Sequence, residues 1–185
     1  MPTQNDTMGS CDYNDGKIQE FVVQRSGFAR PVVIIASNSE GRLQPALERV
    51  ISLMDPSDRV IVLGSKAFLG DLCAKRKPGP ELIGYDISHG FRDALEPALF
   101  SRGDWILVDN LANLTNDDLF VMTRLFGSVG VLATTVGIGA AGVKERLNLV
   151  MTGAKSELSP AMTFALSASN ADPPQFLEEA LILDV

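Results

Sequence analysis

The sequence predicts an α/β fold, a mainly parallel β-sheet with helices on both faces, and three observations carry that expectation. The runs Pro31–Ser37 (PVVIIAS), Arg59–Gly64 (RVIVLG), Asp104–Asp109 (DWILVD) and Gly130–Thr135 (GVLATT) are nearly continuous in apolar residues, the pattern of strands buried on both faces. Segments with apolar residues at helical spacing lie between them. The two kinds of segment alternate along the chain, as successive crossover units do.

Taken in order, residues 1–17 contain almost no large apolar side chain and are expected to form a disordered leader. Residues 18–185 are expected to form the domain, entered by a short strand over Ile18–Gln24. After the first buried strand, Leu43, Ala46, Leu47, Val50, Ile51 and Met54 fall on one helical stripe, and Asp55-Pro56 stops that helix because the residue before proline avoids the α region. The second buried strand is followed by a short helix over Lys66–Ala74, a Pro-Gly-Pro loop and a weaker strand over Leu82–Ile87. Gly90–Phe100 reads as a helix with Phe91, Leu95, Ala98 and Leu99 on one side; Pro97 within it predicts a kink or a break. After the third buried strand, Thr115 can cap a helix running through Phe120, Met122 and Phe126, with Asp117 and Asp118 in the turn favoured by the helix dipole. The fourth buried strand, a Gly137-Ile138-Gly139 turn and a helix over Ala140–Met151 come next. Ala161–Ala168 is expected to be a last strand, and Pro173–Leu183 a short acidic helix.

The 185 residues suit one domain, and 45% apolar with 21% charged residues supports a packed core. Sixteen Lys and Arg against 23 Asp and Glu leave a net charge of −7, which argues against nucleic acid or an anionic membrane as the main partner. No apolar run approaches the ~20 residues needed to span a bilayer, and the polar N-terminus lacks the apolar stretch of a secretory signal. The two cysteines, Cys11 and Cys73, show no metal-ligand spacing and fit a reducing, cytoplasmic setting. The single histidine, His89, excludes a His-rich metal site.

In a parallel α/β sheet, ligands bind beyond the carboxyl ends of the strands. The turn after the first strand reads Ala36-Ser37-Asn38-Ser39-Glu40-Gly41-Arg42-Leu43. It stands where a G-x-x-x-x-G-K-[ST] phosphate loop would stand, but Ala36, Arg42 and Leu43 occupy the positions of the first glycine, the lysine and the metal-binding hydroxyl. The residues alone read as an ordinary strand–helix turn. Trp105–Asp109 followed by Asn110 has the outline of a Walker B strand, and equally that of a core strand ending at a helix-capping acid. Asp86 and His89 at the end of another strand offer a third reading, a small α/β enzyme. The basic run Lys75-Arg76-Lys77 reads as a solvated loop or as a docking site for an acidic partner. Trp105 reads as packing, and Cys73 as an inert thiol without a nearby base.

Read together, these segments resemble the type II and type IV secretion and type IV pilus motor ATPases. Gly90-Phe91, Ala94-Leu95 and Ala98-Leu99 match that family's helix G-F-x-x-A-L-x-x-A-L-R, and Gly103-Asp104 with Ile106-Leu107-Val108 match its P-D-x-I-L-V-G-E strand. Val131–Gly137 followed by Ala140–Leu147, ending in Arg146-Leu147, is similar to its histidine-box strand and the next helix. The likeness runs from about residue 30 to about residue 151 and implies a single RecA-like three-layer domain, with residues 152–185 a divergent extension. On this resemblance Ser37, Asn38, Ser39, Glu40, Gly41 and Arg42 are a vestigial phosphate loop, and Asp109 and Asn110 a vestigial Walker B end. The family's catalytic residues fall on others here: its lysine on Arg42, its hydroxyl on Leu43, its acidic box on Gly64-Ser65, its glutamate on Asn110 and its histidine near Val136. Phosphoryl transfer depends on positioning and on cations at the phosphates. The resemblance therefore implies a protein without catalytic residues, bound metal or cofactor. It would work by protein–protein contact in a secretion or pilus machine, beside an active ATPase or as a homo-oligomer, in the cytoplasm or peripheral to an inner-membrane complex. A nucleotide-binding switch that holds ATP or ADP weakly through Asn38, Gly41 and Arg42 without cleaving it is the alternative.

Overall fold

Six strands form one all-parallel sheet in a computed structural model of the chain, which describes residues 16, 18, 32–74, 78–125, 129–151 and 180–185. The strands are β1 (Val32–Ser37), β2 (Arg59–Gly64), β3 (Glu81–Asp86), β4 (Trp105–Val108), β5 (Gly130–Val136) and β6 (Leu181–Asp184), side by side in the order β3-β2-β4-β5-β1-β6. Between them run helices α1 (Glu40–Ser52), α2 (Lys66–Ala74), α3 (Phe91–Leu99), α4 (Asn116–Leu125) and α5 (Ala140–Met151), and a 3-10 turn over Leu111–Asn113.

The strand order fixes the layers. From β1 the chain crosses over β5 and β4 to reach β2, then steps on to β3. It next reverses, running β4, β5 and finally β6 beyond β1. Right-handed crossovers place helices on opposite faces when the direction reverses, and the core divides accordingly. Val33, Ile35, Val60, Val62 and Leu107 pack beneath α1 and α2 through Leu43, Leu47, Val50 and Leu72. Their alternates Ile34, Ile61, Leu63, Ile106 and Val131 pack beneath α3, α4 and α5 through Leu95, Leu119, Met122 and Leu147. Strands buried on both sides need no polar alternation, which is why their sequences are continuous apolar runs. The central residues Val33, Ile35, Leu63, Leu107 and Leu132 are fully buried. At ~25 cal/mol per Å² of apolar surface removed from water, each large side chain of this kind contributes about 1.5–3 kcal/mol.

The amino-terminal edge of the sheet is closed by two acids, one bonded to a side chain and one to the backbone. Asp58 is 3% exposed and accepts a hydrogen bond from the indole N–H of Trp105 at 3.1 Å, and Asp104 accepts from the backbone N–H of Arg59 at 3.0 Å. The Trp105 ring lies across Gly130 so closely that a Cβ at Gly130 would sit 2.6 Å from its Cε3. At the other end of the chain order, Thr115 and Asp118 form a reciprocal cap on α4. The Asp118 N–H donates to the Thr115 hydroxyl oxygen at 3.1 Å, and the Thr115 N–H and hydroxyl donate to the Asp118 carboxylate at 3.0 and 2.6 Å.

Three expectations are corrected. Ile18 is helical, not extended, and 2% exposed against the β1 face. Gly16 is helical as well, while the rest of residues 1–31, with most of the expected leader, lies outside the described residues. The C-terminal residues Leu181–Asp184 are a strand, not the end of a helix: they pair with β1 in parallel, Val33 opposite Leu181 and Ile35 opposite Leu183. The apolar pair Leu181 and Leu183 reads equally as a helical face or as one side of a strand, and the open edge of β1 decided for the strand. Pro97 does not break its helix. α3 continues to Leu99, and the exposed proline sits in its last turns, where the carbonyl it leaves without a helical partner, that of Asp93, can reach water. The expected strand over Ala161–Ala168 lies outside the described residues. No helix among the described residues is long and apolar enough to cross a membrane.

Gly130→Ala should lower unfolding stability by about 1–3 kcal/mol through overpacking, read as the shift in a urea unfolding midpoint. The cost should fall when Trp105 is already Leu, because the ring that the new methyl meets is gone.

Candidate functional site

All six strands point the same way, so their carboxyl ends share one edge, and the reversal of chain direction opens a crevice there. A cleft of about 950 Å³ occupies that edge. It is bounded by the start of α1 (Glu40, Leu43), by α2 (Phe68, Asp71), the β3–α3 turn (His89, Phe91) and the end of β4 (Asp109, Asn110).

Asp109 is its central carboxylate. Its oxygens accept from the Ser65 backbone N–H and, at 3.4 Å, from the Thr134 hydroxyl. Burial pushes the carboxyl above its ordinary value, the two donors pull it partly back, and the nearby Glu40 charge pushes it up again. Asn110 follows in the left-handed region with φ 49° and ψ 83°, which asparagine tolerates better than most residues. Its backbone N–H donates to Thr134 Oγ1 at 2.9 Å, and its side-chain oxygen accepts from the N–H groups of Ala112 at 3.2 Å and Val136 at 3.3 Å. Asn110 thus fastens β4 to β5 and opens the 3-10 turn, and its amide oxygen is fully engaged in doing so. Arg146 secures the far side of the turn, donating to the carbonyls of Leu111 at 2.7 Å and of Leu114.

Beside Asp109, Gly64 ends β2. A Cβ there would lie 2.6 Å from the Phe68 ring and 3.2 Å from the Cβ of Asp109. The ring fills the room that an acidic side chain at this position would need. Ser65 instead caps α2, its hydroxyl oxygen accepting from the Phe68 N–H at 3.2 Å.

The turn after β1 is short. β1 ends at Ser37 and α1 begins at Glu40. The Ser39 N–H donates to the Ser37 hydroxyl oxygen at 3.1 Å, and the Arg42 N–H to the Ser39 carbonyl at 3.2 Å. A phosphate cradle needs several amides converging on one point; here two of them are held within the turn. The residues expected to form one loop also divide. Glu40 and Gly41 face the large cleft, whereas Ser37, Asn38, Ser39 and Arg42 line a separate cavity of about 560 Å³ with Asp184 and Val185.

The Asp86–His89 pair is not brought into a catalytic arrangement. Asp86 accepts from the Ser88 N–H and hydroxyl at 2.9 and 2.5 Å, and these bonds hold its carboxyl below the ordinary value with smaller help from the His89 and Lys66 charges. It closes a local turn, while His89 faces the cleft. Sequence reasoning missed Thr134, Phe68, Asp71, Asp118 and the clamp made by Arg146. The signal for Thr134 was present: a threonine inside a buried apolar strand calls for a partner to its hydroxyl, which Thr134 finds and the neighbouring Thr135 does not among the described residues.

The cleft walls carry Glu40, Asp71, Asp109 and Asp118, with His89 and no Lys or Arg among the described lining residues. Asp118 is the one of these held by a cation, Arg92 at 3.3 Å. Among the described residues no group of three or more His, Cys, Asp or Glu is placed to hold a metal ion.

No protein-family profile matches the chain, and no curated protein matches its sequence. Among solved structures, it is similar to the X-ray structure of the Legionella pneumophila ATPase DotB, with a TM-score of 0.52 and 15% identity, over 91% of this chain and 44% of that one. This chain therefore spans less than half the length of that protein. The likeness shows a shared fold, a single RecA-like α/β domain with helices on both faces of its sheet.

Two outcomes follow from the site. Because the native Asp109 carboxyl is raised, the native state holds its proton longer than the unfolded chain does. Its contribution to stability is therefore full below the ordinary value of 3.8 and is lost as pH rises through the raised native value. Urea midpoints measured from pH 3 to 7 should show the wild type losing ground to Asp109→Asn over that interval. Arg146→Gln should lower stability by about 1.5–3 kcal/mol, the usual worth of charge-assisted hydrogen bonds to carbonyls, read by thermal unfolding.

Proposed function

We propose that this chain is a non-hydrolysing relative of the secretion and pilus motor ATPases, one that works by protein–protein contact as an assembly or regulatory component. The observation that carries the reading is the charge of the cleft at the strand ends. Three carboxylates without an ion-pair partner among the described residues, Glu40, Asp71 and Asp109, face a space with no Lys or Arg among its described lining residues. A triphosphate brings negative charge, and transfer of its terminal phosphoryl group requires cations where that charge accumulates. The turn after β1 supports the reading, since two of its amides, those of Ser39 and Arg42, bond within the turn and its single arginine, Arg42, lies in the other cavity. Asn110 supports it too: its side-chain oxygen is engaged by two backbone amides, leaving it unsuited to activating water. The shared fold with the ATPase DotB, together with the segment resemblances, supplies the context of a secretion machine.

Purified protein should show no ATP hydrolysis above background with Mg²⁺, and millimolar ATP or ADP should leave its melting temperature unchanged. Hydrolysis that disappears in Asp109→Ala would overturn the proposal. A nucleotide-induced thermal shift without hydrolysis would favour the switch reading based on Asn38, Gly41 and Arg42.

A further inference from the structure

The smaller cavity, at the carboxyl ends of β1 and β6, carries charge of both signs. Arg42 and Asp184 line it together with Ser37, Asn38 and Ser39, and Val185 is the one apolar residue of its described lining. The backbone fixes where these groups stand. Asp184 is opposite Ala36 in the register of β6 on β1, and the Val185 N–H donates to the Ala36 carbonyl at 2.9 Å. Leu183 packs with the layer of α1 and Ile182 with that of α5, so strand alternation turns Asp184 toward α5. A Cβ at Gly139, just before that helix, would lie 4.0 Å from the Asp184 Oδ2. Arg42 comes from the first turn of α1, on the other face of the sheet. The side chains of Arg42 and Asp184 have no ion-pair or hydrogen-bond partner among the described residues, and they do not pair with each other. Ser37, the last residue of β1, is fully buried and reaches the same cavity. Its hydroxyl oxygen accepts from the Ser39 N–H at 3.1 Å, while its own proton meets no acceptor among the described residues. A buried donor in that state calls for an acceptor.

We propose that this cavity binds a free α-amino acid, its carboxylate taken by Arg42 and the Ser37 hydroxyl and its ammonium by Asp184. Simpler ligands satisfy half of the lining. An inorganic anion suits Arg42 and is repelled by Asp184, a simple amine does the reverse, and a neutral polyol leaves both charges to water. A zwitterion meets both, and its carboxylate can accept from the guanidinium in bidentate fashion. The cavity of about 560 Å³ falls within the ~300–1,000 Å³ typical of small-molecule sites. With Val185 the one apolar residue of the described lining, the amino acid's own side chain is small or polar. Arg42 and Asp184 are both exposed, so each charged contact is modest and the dissociation constant falls near ~1 mM. The inference goes beyond the protein–protein reading and is independent of it: a bound amino acid ties the start of α1 to the end of β6 whether or not the larger cleft takes nucleotide.

The test is thermal unfolding of the full-length chain with each of the twenty free α-amino acids at about 20 mM, followed by calorimetric titration of those that act. At least one with a small or polar side chain should raise the melting temperature by about 2 °C or more, as binding to the native state alone requires. Its N-acetyl derivative, which lacks the cation, and its carboxamide, which lacks the anion, should each bind at least threefold more weakly. Arg42→Gln and Asp184→Asn should each weaken the unmodified amino acid at least threefold, about the upper worth of one exposed charge contact. Both positions are exposed, so both variants should keep the wild-type circular dichroism and cooperative melt; the blocked ligands need no variant and decide the matter if either fails to fold. The proposal is overturned if no amino acid acts, if only large apolar ones do, or if blocking either charged group leaves affinity unchanged. It is overturned also if neither substitution in a folded protein weakens binding. Acetate or inorganic phosphate acting as strongly as the amino acid identifies an anion site, and ethylamine doing so identifies a cation site; either result removes the proposal. ATP hydrolysis with amino-acid binding intact removes the non-hydrolysing reading alone.

Discussion

A parallel strand can rejoin its sheet only by crossing one of its faces, and in this chain that constraint places everything else. It demands a helix between successive strands, buries the four inner strands on both sides, and gathers all six carboxyl ends at one edge. The reversal of direction after β3 splits the helices into two layers, α1 and α2 against α3, α4 and α5, each with its own half of the core. The cleft is the gap that this split leaves where Ser37, Gly64, Asp86 and Val108 end their strands. Its position is a consequence of topology and its chemistry a consequence of the few residues just beyond those ends.

Those residues are largely engaged with one another. Asn110 joins β4 to β5, Ser65 caps α2 and donates to Asp109, Thr134 serves both Asn110 and Asp109, and Arg146 holds the turn that follows. A site built for phosphates leaves amides and cations unsatisfied until the ligand arrives. Here Asn110, Ser65 and Thr134 find partners inside the chain, and Glu40, Asp71 and Asp109 are the carboxylates that face the cleft beside Asp118.

Much of the fold was legible before the structure. β2, α2 and α5 agree with their expected bounds, and the other elements between β1 and α5 differ mostly by a few residues at their ends, because continuous β-branched runs and helical stripes are local signals. The failures came where local signals were weak or ambiguous. Leu181–Asp184 carries an apolar pattern compatible with either helix or strand, and only the free edge of β1 selected the strand. Ile18 was read as extended and is helical. Pro97 was expected to kink or break α3, and the helix runs past it to Leu99 without a break, the proline lying in its exposed last turns.

The sequence by itself determined the fold class, the order of elements from β1 to α5 and the absence of a standard phosphate loop, since each depends on residue type at fixed spacing. The tertiary structure alone decided that the supposed loop divides between two cavities, that Phe68 fills the space above Gly64, and that Glu40, Asp71 and Asp109 share one cleft with no Lys or Arg among its described lining residues. The physical reason is separation along the chain. These residues belong to different crossover units, and their charges and volumes interact only after the parallel sheet has brought the strand ends together.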